Sequence, residues 1–538
     1  MNSTGRIWWY GLLRRRGGRL AAAAAGVGIA VALLASLGAF LVSAQASMTA
    51  RAVARVPVDW QVQVHPGADP AAVLDAVRTT PGSQRSLPVG FGRADGLSAT
   101  TGATTQTTGA ATIVGLPAGY RDAFPGELRT LAGAAEGVLL AQQTAANLAV
   151  VPGDTVGISL LGGVATSVRV DGVVELPAAD SLFQKVGALA GSQPSAPPDN
   201  VLLLPEQRWQ DIFAPLSSAA AAPDQVTTQV HVARTHDLPP DPAAAYTAVT
   251  GAAHNFEART GGAAVVGHNL GAALDAARGD AAYARILFLF LGLPGAVLAG
   301  LLTAAVVGAG APRRRREQAL LRARGATGPQ LLRLAAVEAA TVGIAGCVLG
   351  LVAAGLIGRL AFGTDLFGTG TLGRTPEAVL WIGAATALGL AIACLTVLLP
   401  AWRDQRAMTV AAAGVAGPGR PGGLPRWARL GVDLVLLALA AGVFWQAGQD
   451  NYTLVFAPEG VPTIAVSYWA FAGPALLWAG AGLLGWRLAE LALIRGRSLL
   501  ARLLKPLTGN LAGTVASTLA RRRRPIARSI VLLAMALA

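Results

Sequence analysis

The chain has 538 residues, 53% of them hydrophobic and only 13% charged, with a formal net charge of +14. An average soluble domain is about a quarter charged, so a purely soluble globular protein is excluded. The position of the positive charge, followed along the chain below, excludes a nucleic-acid footprint as well.

Residues 1–19 form a short lead with Arg6, Arg14, Arg15, Arg16 and Arg19, and with Trp8, Trp9 and Tyr10 as interface aromatics. Residues 20–44 follow without one ionisable group. That run is longer than the roughly 7–15 residues of a signal-peptide core, so it is expected to stay as an uncleaved signal-anchor and first span. Residues 45–285 are polar, Pro-rich and full of turn signals, and read as an α+β domain between two spans. Within it, residues 138–148 have helical spacing, Pro152-Gly153-Asp154 makes a turn, and Val156, Ile158 and Leu160 alternate as a strand. Gly162-Gly163 turns again toward a strand at Val168 and Val170, and residues 201–204 and 229–233 read as further strands. The low-complexity stretches 100–112 and 191–199 read as surface loops. A last helix, residues 270–285, runs toward the second span at 286–311.

Residues 312–334 are basic. Strong helix formers fill 313–324, Gly325 breaks the pattern, and Thr327 or Gly328 can cap a new helix with Pro329 in its first turn. The third span is placed at 335–362, the fourth at 378–399, the fifth at 430–448 with Asp433 near one end, and the sixth at 464–486. A basic segment, 487–525, precedes an apolar stretch, 526–538, too short to cross and expected to be the start of a seventh span. Leu519-Ala520-Arg521-Arg522-Arg523 echoes Leu12-Leu13-Arg14-Arg15-Arg16, which suggests an internal duplication. The expected fold class is thus a membrane protein of α-helical spans, six complete and a seventh begun, with an α+β extracytoplasmic domain.

With the N-terminus inside, the inner segments hold 27 Lys and Arg against five acids, whereas residues 47–285 hold 14 basic and 20 acidic residues. This is the positive-inside pattern. It predicts a plasma-membrane protein with a cytoplasmic N-terminus and residues 45–285 outside, with lipid and not nucleic acid as its surroundings. Cys347 and Cys394 both fall inside predicted spans, so no disulfide framework is expected.

Reaction chemistry is not evident. Neither lysine, Lys185 or Lys505, follows a glycine, so no phosphate-binding loop is present and the chain is not expected to hydrolyse nucleotide itself. The five histidines (His65, His231, His236, His254 and His268) match no metal-ligand spacing. No catalytic, cofactor or metal residue is assigned. Ionisable residues such as Glu338, Arg359, Glu377, Asp433 and Arg487 lie near span ends, which argues against an ion-coupled carrier.

One resemblance adds to this reading. The segment Arg314-Arg315-Arg316-Glu317-x-Ala319-Leu320-Leu321-Arg322-Ala323-Arg324-Gly325-Ala326-Thr327, with Leu331-Leu332-Arg333-Leu334 and Glu338, resembles the stretch after the second span in the FtsX-like permease family. These proteins are the membrane subunits of MacB/LolC-type ABC transporters. Residues 139–156, through Ala141, Leu148, Gly153 and Asp154, resemble part of a MacB-type periplasmic core domain, and Pro400-Ala401-Trp402-Arg403 resembles the family's closing motif. The likeness implies a permease domain over 286–410 and a coupling helix at 312–334. In that case Arg314, Arg315, Arg316, Glu317, Leu320, Leu321, Arg322, Gly325, Ala326, Thr327 and Glu338 would engage a cytoplasmic ABC-type ATPase. It also implies pairing of two permease units, as a homodimer or a pseudo-dimer. The two spans beyond residue 410 resemble larger actinobacterial-type members with two ectodomain-plus-permease units, here with the second missing. The expected function is transmission of ATP-driven motion to the outer domain, for export, extraction or mechanotransmission of a lipophilic or peptidic substrate. A membrane-anchored sensor or scaffold that binds a ligand without ATP is the alternative.

Overall fold

The computed structural model describes residues 3–160, 165–184, 186–187, 197–217, 225–309, 311–362, 376–407, 426–449, 472–521, 526–527 and 531. The chain divides into a β-rich unit, built on Ala44–Ala282, and a helical unit, built on Met1–Ser43, Tyr283–Leu454 and Ile464–Ala538. It opens with α1 (Ser3–Ala54), β1 (Trp60–Val64), α2 (Pro70–Arg78), β2 (Ser83–Ala94), β3 (Gly96–Thr101), β4 (Thr104–Thr107) and β5 (Ala111–Leu116). Then come α3 (Tyr120–Ala123), β6 (Arg129–Gly133), β7 (Leu139–Ala141), α4 (Gln142–Leu148), β8 (Thr155–Ser159), β9 (Ala165–Arg169), β10 (Gly172–Glu175) and α5 (Ala179–Leu182). The unit is completed by β11 (Val201–Pro205), α6 (Glu206–Ser217), β12 (Val226–Arg234), α7 (Pro242–Thr260) and β13 (Ala264–His268).

The β-rich unit carries a nine-stranded sheet in the order β13-β1-β12-β2-β5-β11-β7-β10-β6, and a four-stranded sheet in the order β4-β3-β8-β9. Most pairs are antiparallel, but β11 runs parallel to β5 and β10 parallel to β7. The unbroken apolar run of β11 has a simple cause, because both faces of this strand are covered. Leu202 and Leu204 enter one core with Ile113, Val156 and Phe213, while Val201 and Leu203 enter another with Val114 and Phe124. Trp209 and Phe213 of α6 lie flat against strand glycines: a Cβ on Gly90 would stand 2.6 Å from the Trp209 ring. A third core, from Trp60, Val62, Val230, Val232 and Phe256, sits under α2 and α7.

Two local expectations change. Residues 100–112 are not a loop: β3 and β4 pair with Thr100 opposite Thr105, and β5 begins at Ala111. β-branched threonines favour strands, and the repetitive composition hid the alternation. Residues 138–148 are not one helix either, because Leu139–Ala141 is a fully buried strand and the helix begins at Gln142. The Gly162-Gly163 turn and most of 191–199 lie outside the described residues.

The helical unit continues through α8 (Asn269–Ala309), α9 (Ala311–Ala323), α10 (Gly328–Ile357), α11 (Pro376–Ala393) and α12 (Leu399–Ala407). Its interior is small-residue packing between α1, α8, α10 and α11: Val27 and Val31 meet Ala299, Val342, Cys347, Ala385 and Ala393. Gly346 and Gly350 let α10 approach α1 closely, and a Cβ on Gly350 would stand 2.6 Å from the Gly28 carbonyl oxygen. Near α11's end, π-type turns cover Cys394–Leu398 just before Pro400, which cannot donate to a preceding carbonyl.

Among the described residues, five helices are long and apolar enough to cross a membrane, and Val432–Gln446 is a shorter apolar helix. Of the spans expected near the chain's end, the fifth corresponds to Val432–Gln449. At the sixth the helix described runs Ala472–Arg495, beyond the expected end at 486, with 464–471 outside the described residues. That extension carries Arg487 into the helix, where its Nη1 lies 3.3 Å from both carboxylate oxygens of fully buried Asp433. Most of the stretch 526–538 also lies outside the described residues.

Candidate functional site

The basic stretch 312–334 holds α9 and the start of α10, joined by a tight turn at Gly325, where the sequence breaks its helical pattern. α9 ends where Gly325 adopts φ +91°, which only glycine takes without strain. The Ala326 N–H donates to the Leu321 carbonyl at 3.0 Å and the Gly325 N–H to that of Arg322 at 2.8 Å. This paired closure is a Schellman motif, which satisfies carbonyls a helix end leaves orphaned. Thr327 then opens α10 in a capping box with Gln330, its N–H donating to Gln330 Oε1 at 3.0 Å, and Pro329 sits in the first turn.

The start of α9 is tied to its neighbours. Arg314 Nη2 donates to the Val307 carbonyl at 2.7 Å, and Arg314 Nη1 lies 3.8 Å from Glu338 Oε1. Arg19 also donates to the Val307 carbonyl, at 3.0 Å. Two guanidiniums therefore cap the carbonyl end of α8, where the helix dipole is negative. Glu338 is buried on α10, so its pairing with Arg314 keeps the carboxylate from standing alone in an apolar bundle.

Of the residues singled out in the sequence, Arg314 and Glu338 are brought together, and Arg315, Arg316, Glu317, Leu320, Leu321 and Arg322 all fall on α9. Gly325, Ala326 and Thr327 form the turn. Leu320 is 62% exposed, an apolar side chain offered outward from a helix with both ends held. Arg19 was not singled out, although its place at the mouth of the first span was the available signal.

Ala141, Leu148, Gly153 and Asp154 lie in the β-rich unit, where they shape the β7–α4–β8 passage. Ala141 and Leu148 are buried, and Gly153 takes φ +108° while its N–H donates to the Val170 carbonyl at 2.7 Å. Asp154 Oδ2 accepts the Val151 N–H at 2.9 Å, closing the turn with its own side chain.

A second polar cluster in that unit escaped the sequence reading. Tyr120 Oη and His231 Nδ1 are 2.8 Å apart inside a ring of Phe91 and Phe124. Burial pushes the Tyr120 hydroxyl well above its usual range, so it stays protonated and donates, leaving His231 Nε2 to face Gln229 Oε1 at 3.4 Å. Desolvation pulls His231 down to about 3 and pushes Glu127 up to about 8. Among the described residues no group of three or more His, Cys, Asp or Glu is placed to hold a metal ion.

Residues 289–404 match a family model described as FtsX-like permease C-terminal, a stretch that contains α9 to α11 and most of α12. This stretch is thus similar to the FtsX-like permease family, whose members are typically membrane subunits of ABC transporters and not themselves enzymes. Family and apolar helices together define a multi-pass membrane protein with a separate sheet domain. No curated protein matches the chain.

Proposed function

We propose that the chain is an ABC transporter permease subunit in which α9 docks a cytoplasmic ATPase and passes its ATP-driven closure to the β-rich unit. The observation that carries this reading is α9 itself. It is a short arginine-rich helix inside the matched stretch, tied at its start to Val307 and Glu338, closed at its end by the Gly325 turn, and presenting Leu320 outward. An exposed apolar side chain on an arginine-rich helix suits a partner groove, since fully burying a leucine is worth about 2 kcal/mol.

The distribution of arginine supports a cytoplasmic α9 and an outer β-rich unit. α1 and α8 each hold residues of both units, which supports motion at α9 being felt outside. The β-rich unit then acts as a MacB-type domain on a lipophilic or peptidic substrate, with work delivered beyond the lipid. Two permease units, from a second copy or a duplicated half, would complete the assembly.

The test compares Gly325→Pro and Leu320→Asp with the parent at matched membrane levels, scoring co-purified ATPase and transport or resistance. Proline cannot adopt φ +91° and removes the N–H that bonds Arg322. Each change is expected to weaken ATPase capture at least tenfold, about 1.4 kcal/mol, with insertion unchanged. Full function in both variants would overturn the coupling role and favour a sensor or scaffold.

A further inference from the structure

We propose that a cavity in the β-rich unit, walled by the segment after α1 and the end of β12, binds a phosphoryl group carried on a small organic ligand or a lipid headgroup. Its volume is about 490 Å³, roomy for a lone anion and within the range of small-molecule sites. Three arginines line it from separate parts of the chain: Arg55 just past α1, Arg85 on β2, whose Nη1 donates to the Asp122 carbonyl at 2.6 Å, and Arg234 at the end of β12, with His236 beside them.

Asp59 is the single carboxylate of the lining, and it is already engaged. It is 1% exposed, accepts the Arg234 backbone N–H at 2.6 Å and lies 3.0 Å from His236 Nε2. Its charge is therefore turned toward the fold and His236, and the arginines leave the wall positive. Arg234 is held in place: its guanidinium carbon sits 3.8 Å from the Trp60 ring centroid, and Nη2 donates to the Pro81 carbonyl at 2.8 Å. Its Nη1 is buried and has no hydrogen-bond partner. Arg55 and Arg85, both exposed, are the arginines of the lining open to a ligand.

Guanidinium forks match phosphoryl oxygens in pairs. Two of them suit a dianion better than a single carboxylate, which one fork already satisfies. Apart from Gln84 the remaining wall is apolar, with Val53, Val56, Pro125 and Pro177, and would face whatever carries the phosphate. This inference does not rest on ATP coupling.

The experiment titrates the full-length protein in neutral detergent with inorganic pyrophosphate and with dihexanoyl phosphatidic acid, using uncharged dihexanoylglycerol as the comparison. Heat of binding is the readout. Saturable binding of pyrophosphate assigns a soluble phosphorylated ligand, and binding of phosphatidic acid at least tenfold more tightly assigns a lipid headgroup; either supports the site. The Arg55→Gln/Arg85→Gln double variant alters exposed side chains, so its thermal midpoint should be unchanged while binding weakens at least fivefold. Arg93→Gln, on β2 but outside the cavity, should bind as the parent does. Absence of saturable binding by both phosphorylated probes, binding of dihexanoylglycerol as tight as that of phosphatidic acid, or a loss below fivefold in the double variant would overturn the proposal.

Discussion

In the β-rich unit the side chains with almost no exposure are large: Trp60, Phe124, Phe213 and Phe256. In the helical unit the buried face of α10 is Gly343, Gly346, Cys347, Gly350 and Ala354, while Ile344, Val348, Leu349, Val352 and Leu356 are more than half exposed. The same physics of close packing acts under two solvents. Water drives large apolar groups inward. Lipid offers them an equally apolar home, so the helices gain from backbone approach and interlocked small residues instead. The helical unit is thus packed by what its side chains lack, and the β-rich unit by what they contain.

The largest expected effect tests that difference directly. Gly350→Leu puts a branched side chain where even a Cβ would stand 2.6 Å from both the Gly28 carbonyl oxygen and Val31 Cβ. The obstacle is backbone as well as side chain, so α1 and α10 must separate rather than repack. Loss of monodisperse protein on size exclusion is expected, beyond the roughly 1–3 kcal/mol of ordinary overpacking. An unchanged elution profile and thermal midpoint would mean that the helices do not depend on this contact.

A smaller effect comes from the polar groups that the β-rich unit buries. Glu127, pushed up to about 8, is neutral in the fold where the unfolded chain would ionise it above about 4.5. Its contribution is complete below pH 4.5 and is lost as pH rises to 8, a ceiling of roughly 5 kcal/mol. His231, pulled down to about 3 from an ordinary 6.5, acts in the opposite sense, its contribution complete above pH 6.5 and lost as pH falls to 3. The two offset between about 4.5 and 6.5, so this unit should be most stable there. Glu127→Gln should remove the alkaline decline while leaving the acid one. Hydrogen exchange at β12 amides against pH reads both limbs, and an alkaline slope that survives the change would assign the decline to another group.

The turn that ends α9 could be read in advance because its residue types act locally: Gly325 for the left-handed position, Thr327 for the cap, Pro329 for the first turn. Long apolar runs likewise announced their helices. What could not be read joins distant residues. Arg19 and Val307 are separated by 288 positions, and Asp433 and Arg487 by 54. No local pattern encodes such a meeting, so each appeared only as a charge near a span end. The three arginines of the cavity are likewise scattered through an acidic domain and entered only its charge count. Short runs failed for another reason. Residues 138–148 fit helical spacing, but a three-residue buried strand and the first turn of a helix look alike at that length.

The smallest expected effect comes from making one substitution in both units. Val230 on β12 is fully buried, flanked across the sheet by Val62 and Pro88. Val230→Thr keeps the shape but buries a hydroxyl where neighbouring carbonyls are engaged in the ladder, at a cost of about 1–3 kcal/mol. Val352 on α10 is 55% exposed. There a threonine can donate to the carbonyl four residues back, as Thr303 does to Ala299, Thr386 to Ile382 and Thr396 to Ile392, each at 2.7–2.8 Å. Val352→Thr should therefore shift thermal stability by less than about 0.5 kcal/mol. The contrast, rather than either value, carries the information, because the helix supplies an acceptor along its own axis and the sheet has spent its acceptors sideways. Equal losses at both positions would mean that the outer face of α10 is covered by protein, and a second permease unit would be the first surface to look for there.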